Sequence, residues 1–259
     1  MLEKLIEVEK EYTKRFSCSI ETNDLIRFWD NSIIDMYTLN YTLIKKSKNI
    51  KQTIIKEIEE RIKNNKDFLR IESNFPIDIT TVKDLPVLGE MTIYNFMYTQ
   101  TNKYMLLKGN SDCVIKEAKT PEILEDGIEV DILVNGSIMG EDFAKRRIYR
   151  KSEIYRQPNS GLSLYVIYHN NIPIGNAEVL TCNGIAKIED FDILEQYQRK
   201  GFGTAMLKYL LKQAEESGVN IAYLVTDASD TINEMYEKCS FTKVGEKTEL
   251  FFSLQGEGS

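Results

Sequence analysis

Gln198-Arg199-Lys200-Gly201-Phe202-Gly203-Thr204 sets two glycines and two cations between an acidic, β-rich run and a long amphipathic one. Residues of these types at such a junction can hold an anion. The first amides of a helix lack intrahelical acceptors and carry a partial positive charge, and together they bind phosphate. Glycines let the backbone approach closely and take positive φ. The amides from about Arg199 to Ala205 are expected to converge on one concavity, with Arg199 and Lys200 as additional cations. A diphosphate suits such a junction. Two other phosphate loops are excluded. No Gly-Lys-Ser/Thr occurs, and Met206 stands where a dinucleotide-binding turn needs its third glycine.

The elements that position this turn are readable on both sides. Upstream, "AKIEDFDIL" reads as a strand, and alternation predicts Glu189, Phe191 and Ile193 on one face, with Asp190 and Asp192 on the other. Downstream, Met206, Leu207, Leu210, Leu211 and Ala214 recur at helical spacing until Gly218 ends the helix. Before the acidic strand come two more strands in residues 160–182, with turns at Asn170-Asn171 and Asn183-Gly184 that suit antiparallel hairpins. After the helix come strand 220–227, helix 230–239, and two strands, "FTKVGE" and "TELFFSL". The strands flanking the Gly201 helix are expected to be parallel. Further upstream, Pro121 opens a helix, and 141–157 is a second helix, read as basic on its exposed side. In the first 110 residues, 2–16 and 50–65 read as helices, and 67–73 and 102–109 as strands.

Gln198-Arg199-Lys200-Gly201-Phe202-Gly203 resembles the Q/R-x-x-G-x-G/A signature of the GNAT acyl-CoA N-acyltransferase family, and "YEKCSF" is similar to that family's Y-x-x-x-G-F, with Tyr236 and Phe241 on its aromatic positions. The resemblance covers about 112–255. It implies an α/β (α+β) fold with a mixed, largely antiparallel central sheet flanked by helices. The GNAT domain is expected over 111–255, preceded by a smaller α/β domain over 1–110, either a degenerate GNAT-like unit or an accessory domain. The resemblance further implies acetyl-CoA as cofactor, transfer of its acetyl group to a primary amine of a small molecule or peptide, and direct attack in a ternary complex. Cofactor contacts fall on Gln198, Arg199, Lys200, Gly201, Phe202, Gly203 and Thr204, on main-chain groups around Phe191, Asp192 and Ile193, and on Ser229. Glu189 is the expected general base, with Asp190 next, and Tyr236 the expected general acid. Ser229 and Ser240 depart from the asparagine and glycine usual there. The alternative is a non-catalytic acyl-CoA-binding module.

Composition bounds the partners. The 259 residues carry a net charge of −7, and from Gly161 onward 8 Lys+Arg face 14 Asp+Glu, which argues against nucleic acid and is compatible with a cationic amine. No apolar run reaches the roughly 20 residues of a membrane span, so no membrane partner is expected. "MLEKLIEVEKEYTKRF" is a charged amphipathic helix rather than a secretory leader, and the expected location is the cytoplasm. Four scattered cysteines form no Cys-x-x-Cys pair, so they are expected to be reduced and no metal site is expected. His169, the one histidine, reads as a hairpin-tip residue, and the tail "QGEGS" as frayed or vector-derived. A homodimer is compatible with these features, and the oligomeric state stays open.

Overall fold

The computed structural model describes residues 1–254; the "QGEGS" tail lies outside them. In chain order the elements are α1 (Leu2–Phe16), β1 (Cys18–Glu21), β2 (Leu25–Trp29), β3 (Thr42–Ile44), α2 (Ile50–Lys63), β4 (Phe68–Ser73), α3 (Ile79–Lys83) and β5 (Gly89–Gln100). A 3-10 helix, Thr101–Leu106, leads to β6 (Val114–Glu117), α4 (Pro121–Met139), α5 (Glu141–Tyr155), β7 (Leu162–His169), β8 (Ile172–Cys182) and β9 (Ile185–Ile193). After a 3-10 turn at Glu195–Tyr197 come α6 (Phe202–Glu216), β10 (Ile221–Asp227), α7 (Ile232–Lys238) and β11 (Thr242–Ser253).

The strands form one sheet of 11, in the order β1-β2-β3-β4-β11-β5-β10-β9-β8-β7-β6. Among the described residues only β3/β4 and β9/β10 pair in parallel, and each pair is joined by one helix, α2 or α6. The chain thus runs twice through strand, helix, parallel strand, short helix and long strand. The long strands are exchanged: β5 docks on β10, β11 docks on β4, and the two pair with each other at the centre. Main-chain hydrogen bonding therefore carries the sheet across both halves.

Strand alternation assigns the helices to faces. Leu250 and Phe252 pack with Ile54 and Ile58 of α2, while Met97 packs with Met206, Leu207, Leu210 and Leu211 of α6. Phe96, next to Met97 on β5, and Tyr223 of β10 pack with Leu5 and Val8 of α1. So α2, α6 and α7 cover one face, and α1, α4 and α5 the other. Each fully buried Leu, Met or Phe contributes about 2 kcal/mol, which holds α6 against the end of β9.

Several expected elements differ. Residues 102–109 are mostly a 3-10 helix rather than a strand, and the strand lies just before, at Gly89–Gln100. "FTKVGE" and "TELFFSL" are one strand, because Gly245 sits at a bulge against β5 instead of in a turn. On α5, Arg147 and Lys151 are buried, so the helix is not basic only on its exposed side. All four cysteines are free thiols.

Candidate active site

Strands β9 and β10 pair only at Ile185–Lys187 with Ile221–Tyr223. Beyond that they diverge: β9 stays with β8 as far as Ile193, and β10 stays with β5 as far as Asp227. The facing edges of Ile188–Ile193 and Leu224–Asp227 are left without partners in the sheet, at the end where α6 begins.

A bulge in β9 shapes one wall. Glu178 opposes Glu189 and Asn176 opposes Asp192, so Asp190 and Phe191 together face the single residue Ala177. Asp190 takes φ 43, an uncommon value for a non-glycine residue that aspartate adopts more readily than most. The extra residue shifts alternation by one. Glu189 is therefore not on the face of Phe191 and Ile193. Glu189, Asp190 and Asp192 all turn toward α1, α4 and α5, while Phe191 and Ile193 pack on the α6 side with Phe202 and Tyr236.

The three carboxylates meet different partners. Asp190 accepts from Arg147 Nη1 at 2.9 Å and from Lys151 Nζ at 2.5 Å. Burial works to raise its pKa, yet the two cations hold it well below the usual carboxylate range. Arg147 also donates to Asp131 at 2.5 Å, and Lys151 lies 3.2 Å from Glu178, which accepts from the Tyr155 hydroxyl. Burial pushes the Asp131 and Glu178 carboxyls up. Glu189 pairs with buried Lys187 at 2.6 Å, and Lys187 also binds Glu9 of α1 at 2.5 Å. Among the described residues Asp192 accepts only a 3.3 Å bond from Asn135 Nδ2 of α4, and burial and then the Asp190 charge raise its pKa to about 6.

Tyr236 stands on the other side. It is buried on α7, with its ring edge-on to Phe191 at 6.5 Å and to Phe241 at 5.9 Å. Burial, then Glu189 and Asp192, push its phenol above the ordinary value, so it is a neutral proton donor at neutral pH. Ser240, after α7, takes φ 67, and Phe241 N–H donates to the Tyr236 carbonyl at 3.0 Å. The helix closes as it would with glycine, with serine in the left-handed region.

The loop itself is built as the residue types require. Gly201 caps α6 at φ 82, and the first intrahelical bond runs from Ala205 N–H to the Gly201 carbonyl, 3.0 Å. The amides of Phe202, Gly203 and Thr204 precede that bond and have no acceptor within the helix. A Cβ at Gly203 would meet only ordinary contacts, Phe191 at 3.6 Å and Met235 at 3.7 Å, and its φ is not positive. Neither packing nor backbone strain demands glycine there, so what glycine keeps clear is the space over the loop. Diphosphate fits this cradle. Gln198 Nε2 donates back to the Ile193 carbonyl at 2.9 Å and ties the loop to β9, while Lys200 Nζ donates to the Gln196 carbonyl. Ser229 is used locally: its amide and hydroxyl both donate to Asp227 Oδ1.

Asn110 also holds the loop, a role that its place after Gly109 in the sequence does not announce. Its amide donates to the Gly201 carbonyl and its Nδ2 to the Lys200 carbonyl, each at 3.0 Å, latching the loop from outside. Gly109 makes this possible, because a Cβ there would fall 2.4 Å from the Ala205 backbone. The signal in the sequence was a Gly-Asn pair, which reads as a simple turn. His169 packs its ring 5.0 Å from that of Phe202, beneath the same loop.

The family described as acetyltransferase (GNAT) domain matches residues 97–250. The chain belongs to the GNAT family. That match begins within β5, the exchanged strand, so the GNAT sheet here includes a strand from the first half. An uncharacterized N-acetyltransferase, CgeE of Bacillus subtilis (strain 168), is 33% identical over 129 residues, 48% of this chain and 49% of the relative; the chain thus aligns with about half the length of that curated relative. A functionally unknown conserved protein from Staphylococcus epidermidis has the same fold, with TM-score 0.78 and 18% identity over 92% of this chain and 94% of its own. So does a GCN5-related N-acetyltransferase from Kribbella flavida, with TM-score 0.68 and 14% identity over 98% and 95%. A tandem GNAT protein from the clavulanic acid biosynthesis pathway aligns over 92% of this chain and 82% of its own, with TM-score 0.58 and 10% identity. Among the described residues no helix is long and apolar enough to cross a membrane.

Proposed function

We propose that this chain is an N-acetyltransferase that moves the acetyl group of acetyl-CoA to a primary amine of a small molecule or peptide, by direct attack with both substrates bound. One observation carries the reading: the unpaired edges of β9 and β10 open at the point where Gly201, Gly203 and the free first-turn amides of α6 form an anion cradle. Phe202, Gly203 and Thr204 amides, with Arg199 and Lys200 beside them, would hold the diphosphate. The free edge around Phe191–Ile193 would pair with the pantetheine arm as an added strand does. Acetyl-CoA, when bound, supplies the activated acyl group.

The remaining work falls to the protein. The loop and strand edge align the reactants, an effect that can contribute about 7–11 kcal/mol. A β9 carboxylate takes the proton that the ammonium must lose. Tyr236, kept neutral, gives its hydroxyl proton to the departing sulfur and recovers one from the amide nitrogen. A loss of activity on Tyr236 substitution with binding intact separates this from a binding module.

Gly203→Glu tests the cradle. A side chain with negative charge would stand where Phe191 and Met235 leave room, and calorimetry is expected to show acetyl-CoA affinity falling roughly a hundredfold or more, since a like charge disfavours the anion by several kcal/mol. Equal binding by variant and parent would remove the basis of the site.

A further inference from the structure

Five carboxylates cluster where β9 bulges against α4 and α5, and their partners sort them; Glu178 is fully buried beside Lys151. Asp131 is fully buried and bonded to Arg147. Asp190 is held by Arg147 and Lys151. Glu189 is paired with Lys187. A base must be reachable and must exchange a proton near neutral pH. A carboxylate clasped by cations meets the second condition poorly, and a buried one fails the first. Asp192 is half-buried, and its one hydrogen-bond partner among the described residues is the neutral amide of Asn135.

We propose that Asp192, and not Glu189, takes the proton of the acceptor's ammonium, with Asn135 as the residue that positions its carboxylate. This rests on the acetyl-transfer reading above. Asp192 lies beyond the last β9–β10 pair, on the splayed stretch of the strand. Its cross-strand neighbour Asn176 shares its face and donates Nδ2 to the Gly127 carbonyl of α4. Asn176 Oδ1 is buried and receives no donor among the described residues. Asp131 Oδ1 is likewise without a donor. Asn176 Oδ1, lacking a donor across the strand from a carboxylate that pairs with no cation among the described residues, makes a surrounding suited to an N–H-rich cation. The charged and titratable groups whose fields reach Asp192 are Asp190 on β9, Asp131 on α4, Arg147 and Lys151 on α5, and, from across the strand, Tyr236 on α7. Burial and the Asp190 charge keep its proton affinity close to neutral pH.

The step balances. The ammonium gives one proton to Asp192 and becomes the free amine. Its nitrogen–carbon bond forms as the carbon–sulfur bond breaks. Tyr236 protonates the sulfur and regains a proton from nitrogen, and Asp192 releases its proton to water. One proton is produced per acetyl group moved.

The test uses the full chain with acetyl-CoA, and n-butylamine and hydroxylamine as probes. Hydroxylamine is already unprotonated at pH 7 and needs no base. Asp192→Asn is expected to lower kcat/KM for n-butylamine roughly a hundredfold and to leave hydroxylamine acetylation and acetyl-CoA binding nearly unchanged. Glu189→Gln is expected to keep most n-butylamine transfer. With carbon-13-labelled aspartate, the Asp192 carboxyl signal, assigned by its loss in the variant, should titrate near pH 6 and move when n-butylammonium is added. An Asp192 signal indifferent to n-butylammonium, or full n-butylamine transfer by Asp192→Asn, overturns the assignment. Failure of the parent to bind acetyl-CoA would instead overturn the reading of function.

Discussion

Tyr236→Phe is expected to lower kcat about a hundredfold, or about 2.7 kcal/mol of barrier, while acetyl-CoA affinity changes less than about threefold. The phenol is buried against Phe191 and Phe241, and removing one oxygen leaves that packing in place. What disappears is the only proton this residue can lend to a leaving thiolate. Burial and the neighbouring carboxylates hold that proton on the oxygen at neutral pH, so the parent enters each turnover charged with it. Stopped-flow detection of free thiol, on a substrate for which chemistry limits the rate, reads the effect. An unchanged kcat would leave Tyr236 a core residue only.

Asp190→Asn is expected to cost about 3–5 kcal/mol of stability, the usual result of removing one partner from a buried ion cluster. Arg147 and Lys151 are nearly out of water and would keep their charges with one carboxylate fewer. The uncommon φ 43 of the bulge would also lose the ion pairs that hold it, and the edge of β9 that faces the splay would shift. The pH dependence follows from the lowered native pKa. Asp190 contributes its full stabilisation above the unfolded carboxyl value near 4, and loses it as pH falls toward the lower native value. The gap between parent and variant in urea melts should therefore be widest near pH 7 and narrow below about pH 4. A gap that is the same at pH 3 and pH 7 would show that the ion pairs do not carry it.

The shape of the Gly201 loop was legible because local chemistry dictates it. The Gly201 turn, the amphipathic face of α6 and its stop at Gly218 are each set by residues close in sequence. The hairpin turns follow the same logic: Asn170, Asn171, Asn183 and Gly184 all take positive φ, as their types favour. Three other features depend on distant pairing. The β5 segment "GEMTIYNFMYTQ" gains its partners from β10 and β11, more than a hundred residues away, and little beside it marks its ends. The exchange of β5 and β11 repeats a topology without repeating residues: Asn49 and Gly201 both open their helices in the left-handed region, yet the loops share no motif. The β9 bulge is set by Arg147 and Lys151 on α5, about 40 residues upstream, and it reversed the face on which alternation placed Glu189.

Amide chemical-shift mapping with acetyl-CoA tests the central claim most directly. The expected result is that the amides of Gly201, Phe202, Gly203 and Thr204 move most, together with those along Ile188–Ile193. Shifts confined to other parts of the sheet, or none at saturating nucleotide, would contradict it.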